Sequence, residues 1–128
     1  MRDDEFYFLR RKVMKKKILL VEDDLLLRKG LKTMIEMRGS FSIEADTGSG
    51  KDAVSLFEAV HPDVVLLDLQ LPDIPGTEVL RQLKQVSPKT PVVLLTICEE
   101  NDLLFQALAL GANAYVELPL LNRTLCGC

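Results

Sequence analysis

Carboxylate and hydroxyl side chains stand at the ends of three short apolar segments of this 128-residue chain. In chain order, these residues are Glu22, Asp23, Asp68 and Thr96. Carboxylates that converge repel one another and titrate as a coupled set unless a cation lies between them. Oxygen ligands of this kind suit Mg²⁺, which proteins usually hold with one or two carboxylates together with phosphate oxygens and waters. The residue types therefore predict phosphoryl transfer, in which an aspartate can itself be the nucleophile.

The three apolar segments have the composition of strands that are buried on both faces. They comprise residues 18–21, 64–67 and 92–95. Strand-like segments alternate five times with segments of helical apolar spacing. We therefore predict an α/β fold with a doubly wound, five-stranded parallel sheet and right-handed crossovers. Because the carboxyl ends of parallel strands share one edge, where open α/β folds bind ligands, the acids and the hydroxyl can converge there.

The segment after Asp68 determines where the next helix can begin. Asp68 is followed by two prolines, Pro72 and Pro75, and then by Gly76. Since these turn-forming residues interrupt both strand and helix, regular structure cannot extend through residues 69–75. We therefore expect Asp68 at the carboxyl end of a central strand and a helix from about Gly76.

Apolar residues spaced by three and four predict the buried faces of the helices. In the first helix they are Leu27, Leu31, Met34 and Ile35, and in the third helix they are Val79, Leu83 and Val86. Asp24 is the expected N-cap of the first helix, and Gly39 is expected to end it.

Two further features have ordinary structural interpretations. Residues 48–51, Gly-Ser-Gly-Lys, are similar to part of a phosphate-binding loop but lack its other positions, so we interpret them as a turn and a helix start. His61 lies beside a proline at a predicted helix end, and we interpret it as a surface or capping residue.

Composition indicates one globular domain. The chain is 48% hydrophobic and 27% charged with a net charge of -3, which gives no reason to expect direct nucleic-acid binding or a membrane surface. It has no apolar run near the roughly 20 residues of a membrane helix and no signal peptide, so we expect a cytoplasmic protein. Residues 1–14 are predicted to be an N-terminal extension and residues 15–128 the domain. The three cysteines, Cys98, Cys126 and Cys128, match neither a disulfide framework nor a zinc site.

The motifs together resemble the receiver domain of two-component response regulators. They are Val-Glu-Asp-Asp at 21–24, Leu-Leu-Asp-Leu-Gln-Leu-Pro-Asp-Ile-Pro-Gly at 66–76, Leu-Leu-Thr at 94–96 and Gly-Ala-Asn-Ala-Tyr-Val at 111–116. The resemblance covers roughly residues 17–119. Arg-Lys-Gly-Leu at 28–31 is similar to receivers that carry LuxR-type output domains.

This resemblance implies a flavodoxin/CheY-like sheet of order 2-1-3-4-5 and phosphorylation of Asp68 by a sensor histidine kinase. It implies that Mg²⁺ is held by Glu22, Asp23, Asp68 and the main-chain carbonyl of Gln70. It also implies that the Thr96 hydroxyl hydrogen-bonds the phosphoryl group and that Tyr115 reports the switch. The expected protein is a signalling switch that can dephosphorylate itself, not a metabolic enzyme.

The sequence departs from the family pattern at three places. Leu118 occupies the position of a lysine that contacts the phosphoryl group, Ile97 replaces a small residue, and the last helix is shortened. A shortened helix would expose an apolar sheet face, so we expect association, for example as a homodimer. One alternative function is therefore a phosphorylation-independent module for dimerisation or other interactions. Another is a metabolite phosphatase, although Gln70 stands where such enzymes carry an acid.

Overall fold

The computed structural model describes residues 15–96 and 101–117. In these ranges strands and helices alternate along the chain. They are β1 (Lys16–Val21), α1 (Leu25–Met37), β2 (Phe41–Thr47), α2 (Gly50–Val60), β3 (Val64–Asp68), α3 (Gly76–Val86), β4 (Val92–Thr96), α4 (Asn101–Ala109) and β5 (Ala114–Glu117). The strands pair in parallel in the order β2-β1-β3-β4-β5, which confirms the predicted fold class and strand order.

Two hydrophobic layers cover the two faces of the sheet. Leu19 and Val21 of β1 pack in the layer that includes residues of α2, α3 and α4. Ile18 and Leu20 of the same strand pack in the layer that includes Leu31 of α1. Because successive strand residues point to opposite faces, a strand between two layers must be apolar throughout. The uninterrupted apolar run of β1 is therefore that of a strand buried on both faces, as predicted.

The helix ends confirm several predictions made from residue type. The Asp24 side chain accepts a hydrogen bond from the Leu27 N–H at 3.1 Å, as an N-cap should, and Gly39 follows the end of α1 with φ 75°. His61 is exposed and forms the C-cap of α2 with φ 48°, so it is a capping residue. Helix α3 begins at Gly76, directly after the proline-rich segment.

Met34 and Val86 were wrongly predicted to be on buried helix faces, since Met34 is 63% exposed and Val86 is 49% exposed. Each lies three residues beyond a buried leucine, Leu31 or Leu83, and is therefore rotated by about 60° around the helix. That rotation moves a side chain from the centre of the buried stripe to its flank. Met34 instead lines an apolar cavity of about 290 Å³ between α1 and the sheet.

Several predictions fall on residues that the structure does not describe. They concern the 1–14 extension, Ile97, Leu118, the cysteines and the shortened last helix, and they remain predictions. Within the ranges given above, no helix is long and apolar enough to cross a membrane.

Candidate functional site

Two acidic side chains from adjacent strands meet at the carboxyl edge of the sheet. The β1–β3 register pairs Val21 with Leu67, so Glu22 and Asp68 each lie one residue further along neighbouring strands. Glu22 is 1% exposed and Asp68 is 7% exposed. The predicted convergence at the sheet edge is therefore present for these two acids, and it is unusually well shielded from water.

Hydrogen bonds hold one oxygen of each carboxylate. Glu22 Oε1 accepts the Asp24 N–H at 3.1 Å, and Asp68 Oδ1 accepts the Gln70 N–H at 2.9 Å. Glu22 Oε2 is buried and accepts no hydrogen bond from an N–H group in the described part of the chain, and a proton on either carboxyl group would join Glu22 to Asp68. A buried carboxylate oxygen in this condition carries a substantial desolvation cost, so it is the most suitable atom here for a cation or a proton.

Burial raises the pKa of both acidic groups, and a neighbouring negative charge adds to each shift. Burial, followed by the negative charge of Asp68, raises the pKa of Glu22 to about 8. The pKa of Asp68 is also raised, chiefly by burial, although the Gln70 N–H opposes the shift and the charge of Asp23 adds to it. Without a cation, the pair therefore retains a proton at neutral pH.

Glu22 and Asp68 have the chemistry of ligands for a divalent cation. Among residues 15–96 and 101–117, no group of three His, Cys, Asp or Glu side chains is close enough together to hold a metal ion. Two adjacent buried carboxyl groups, one with a free oxygen, nevertheless fit Mg²⁺, since that ion commonly takes only one or two protein carboxylates. Asp23 is exposed and acts on Asp68 through its charge.

Arg28, which the sequence indicated only as part of a subgroup motif, holds the loop that carries the acids. Its Nη1 donates to the Glu22 backbone carbonyl at 2.8 Å, and its Nε forms an ion pair with Asp46 Oδ1 at 3.0 Å. The Glu22 N–H in turn donates to the Thr47 carbonyl at 2.9 Å. Loop β1–α1 is therefore fastened to β2. Only the three-dimensional pairing with Asp46 identifies this role of Arg28.

The segment after Asp68 is equally constrained. The Gly76 N–H donates to the Leu69 carbonyl at 3.0 Å and closes the segment at its base. A Cβ on Gly76 would lie 2.3 Å from the Leu69 Cα, so only glycine fits there. Asp73, whose role sequence reasoning missed, links the segment to α2 by accepting hydrogen bonds from Ser49, Gly50 and Lys51.

The remaining predicted site residues lie on β4 and β5. Asp68 pairs with Leu95, so Thr96 lies one residue further along the strand beside Asp68. Tyr115 pairs with Leu94 and is 51% exposed. The backbone therefore brings Thr96 to the same sheet edge as the two buried acids.

Comparisons with known proteins agree with this arrangement. The family model of the response regulator receiver domain matches residues 18–127. The transcriptional regulatory protein YdfI of Bacillus subtilis (strain 168) is 36% identical over 101 residues, which are 79% of this chain and 47% of that protein. The transcriptional regulatory protein DegU of Brevibacillus brevis is 35% identical over 91 residues, which are 71% of this chain and 39% of that protein. The chain thus spans less than half the length of these relatives.

Solved structures show the same fold. A DNA-binding response regulator of the LuxR family from Staphylococcus aureus has a TM-score of 0.77 and 29% identity, covering 88% of this chain and 93% of that one. A CheY-like receiver domain protein from Methanospirillum hungatei JF-1 has a TM-score of 0.75 and 26% identity, and the match covers 88% of this chain and 89% of that one. These matches confirm the predicted likeness to LuxR-type regulators and the CheY-like fold. Such receivers generally use Mg²⁺, work with histidine kinases and are not usually metabolic enzymes. The chain belongs to the response regulator receiver domain family, whose standard function is a phosphorylation-based signalling switch.

Proposed function

We propose that Asp68 is the phosphoacceptor of this receiver domain, in a Mg²⁺-dependent transfer from a sensor histidine kinase. The observation that carries this proposal is the pairing of Asp68 with Glu22 at the carboxyl end of a central strand, where Glu22 retains an unpartnered buried oxygen. Open α/β sheets bind ligands at this edge.

In the proposed transfer, a carboxylate oxygen of Asp68 bonds to phosphorus while the bond from phosphorus to the kinase histidine nitrogen breaks. The nitrogen leaves with the bonding electrons and is protonated. The Gln70 N–H at 2.9 Å fixes the orientation of the Asp68 carboxylate before attack. This arrangement supplies positioning, which phosphoryl transfer needs more than it needs a base.

Charge neutralisation would come from a bound cation. The ligands that we propose for Mg²⁺ are Glu22, Asp23, Asp68 and the Gln70 main-chain carbonyl. Mg²⁺ bound there would neutralise the negative charge that develops on the phosphoryl oxygens. We further propose that the Thr96 hydroxyl donates to the phosphoryl group and that Tyr115 changes orientation with it. Each role follows from the sequence motifs and from the position of the residue on the strand.

Incubation with acetyl phosphate and Mg²⁺, followed by intact mass measurement, tests the proposal. The wild-type chain should gain one phosphoryl group, while Asp68→Ala should gain none. Asp52→Ala, which removes an exposed carboxylate from α2, should behave as the wild type. Equal gain in Asp68→Ala, or no gain in the wild type after prolonged exposure, would contradict this role of Asp68. We also propose self-catalysed dephosphorylation, which predicts decay of the added mass after removal of the phosphoryl donor.

Leu118 favours a second candidate function. It occupies the position of the family's phosphoryl-contacting lysine, and loss of a preorganised charged contact can cost about a hundredfold in rate. The alternative is an interaction module that works without phosphorylation. Partner binding that is unchanged by phosphoryl donors would support this module. A large gain in phosphorylation rate for Leu118→Lys would support the switch.

The proposed output is control of transcription, because the curated relatives are transcriptional regulators and the matched part of this chain covers less than half of each of them. We also propose self-association through the apolar cavity between α1 and the sheet, which Met34, Phe41 and Leu66 help to line. Sedimentation equilibrium should show a mass that rises with concentration, and Met34→Glu should suppress the rise. A monomeric mass at all concentrations would exclude this association.

A further inference from the structure

Asp73 joins the segment after the phosphoacceptor to a distant helix. We call residues 69–75 the Asp73 loop. Asp73 Oδ1 accepts the Gly50 N–H at 2.9 Å, and Oδ2 accepts the Lys51 N–H at 2.9 Å and the Ser49 hydroxyl at 2.8 Å. One carboxylate therefore links the middle of the Asp73 loop to the first turn of α2.

These bonds complete the N-terminus of α2. The first N–H groups of a helix lack partners within the helix. Here the N–H groups of Gly50 and Lys51 donate to Asp73, that of Asp52 donates to Ser49 Oγ at 3.3 Å, and that of Ala53 donates to the Ser49 carbonyl at 3.2 Å. The protein's own anion therefore occupies the place that a phosphate would take, which explains why residues 48–51 do not form a phosphate-binding loop.

Apolar packing reinforces this link. A Cβ on Gly50 would lie 2.7 Å from Ile74 Cγ1 and 3.2 Å from Leu71 Cδ1, so the Asp73 loop lies directly against the start of α2. Leu71 and Ile74 also pack against the hydrophobic layer that contains Leu67. The middle of the loop is thus held by hydrogen bonds and by side-chain contacts.

The loop is also held at both of its ends. At its start, the Gln70 N–H donates to Asp68 Oδ1, and at its end the Gly76 N–H donates to the Leu69 carbonyl. Gln70 lies between Asp68 and the point where Asp73 anchors the loop. Any movement of that anchor along the chain would therefore reach the Gln70 backbone before it reached Asp68.

We infer that Asp73 is a positioning residue of the acidic site, because its bonds to α2 hold the Asp73 loop so that the Gln70 backbone stays against the Asp68 carboxylate. This inference rests on the proposed function, in which Gln70 and Asp68 hold Mg²⁺. Asp73 is not among the residues that we propose to bind the metal or the phosphoryl group. Its effect passes through Gln70.

The test compares Asp73→Ala and Asp73→Asn with two control variants. Asp52→Asn removes one charge from the same turn of α2, where the Asp52 side chain is exposed. Val92→Ala shortens a buried side chain at the amino end of β4, at the opposite edge of the sheet from Asp68, and so lowers stability away from the loop. For each variant, amide hydrogen exchange at Gln70 is measured without metal, and the Kd for Mg²⁺ is measured by NMR titration.

Asp73→Ala should speed Gln70 exchange and raise the Kd for Mg²⁺ about tenfold, as loss of an outer partner of a metal ligand does. Asp73→Asn should have a smaller effect, since its amide oxygen can still accept a backbone N–H. Asp52→Asn should match the wild type. If Asp73→Ala does not fold, Asp73→Asn carries the comparison.

Equal changes in Asp73→Ala and Val92→Ala would reduce the effect to lost stability and overturn the inference. Unchanged Gln70 exchange in Asp73→Ala would also overturn it. A wild-type chain that binds no Mg²⁺ would contradict the proposed metal site instead. In that case the exchange rates alone would decide whether Asp73 positions Gln70.

Discussion

Glu22 and Asp68 bury their carboxyl groups beside each other at the ends of two adjacent parallel strands. Burial raises the energetic cost of ionising both groups, the charge of Asp68 adds to this cost for Glu22, and each carboxylate keeps a backbone N–H donor. The site is therefore costly to charge fully until a cation is bound. This property would link the stability of the protein to the metal binding and phosphoryl acceptance that we propose for this site.

The stability of the metal-free protein should fall as pH rises. Since folding raises the pKa of Glu22 from 4.5 to about 8, the folded state holds a proton that the unfolded state releases. The stabilisation is complete below about pH 4.5 and is lost as pH rises through about 8, with a slope of at most about 1.4 kcal/mol per pH unit for one proton. Urea unfolding with a chelator present should show a flatter profile for Glu22→Gln. If the unfolding free energy of both proteins changed equally with pH, Glu22 would not be the group with the raised pKa.

Addition of Mg²⁺ should stabilise the protein. At a concentration one hundred times the Kd, a ligand that binds only the folded state adds about 2.7 kcal/mol. Thermal unfolding should therefore shift upward with Mg²⁺ and return after a chelator is added. Asp68→Asn should remove most of the shift, whereas Asp52→Asn should retain it. A full shift in Asp68→Asn would place the ion elsewhere.

Gly76 and Gly30 should respond oppositely to replacement by alanine. Gly76→Ala would drive a Cβ to within 2.3 Å of Leu69 Cα, so we expect a loss of about 3 kcal/mol or more. Gly30 lies within α1 with no atom within 4 Å of an added Cβ, so Gly30→Ala should gain up to about 1 kcal/mol. Chemical denaturation of both variants measures the difference. Similar effects for the two would contradict the tight turn after Asp68.

Asp73 should make the fold sensitive to acid. Its bonds from the N–H groups of Lys51 and Gly50 hold its pKa well below the usual value of 3.8. A lowered pKa gives stability that is present above the unfolded value and is lost as pH falls below it. Acid unfolding followed by circular dichroism should therefore show a steeper loss below about pH 4 for the wild type than for Asp73→Asn. Unfolding curves of equal steepness would contradict this prediction and would indicate that protonation of other carboxylates causes the acid unfolding.

The sequence alone predicted the α/β class, the places of the buried strands and the start of α3. These features are local, because strand burial requires uninterrupted apolar residues and because Pro72, Pro75 and Gly76 exclude regular structure before the helix. The position of Asp68 at a strand end also followed from these local rules. The order of strands came from family resemblance, and the observed sheet has that order.

The tertiary structure determines the burial and the pKa of the acidic side chains at the sheet edge. The raised pKa of Glu22 depends on burial and on Asp68, which strand register brings beside it. The bond from Asp73 to Gly50 spans 23 residues, and no periodicity of the chain signals it. The exposure of Met34 likewise depends on which side of α1 the sheet covers. Local patterns determine which residues form elements, but contacts and electrostatics between distant segments exist only after the elements pack together.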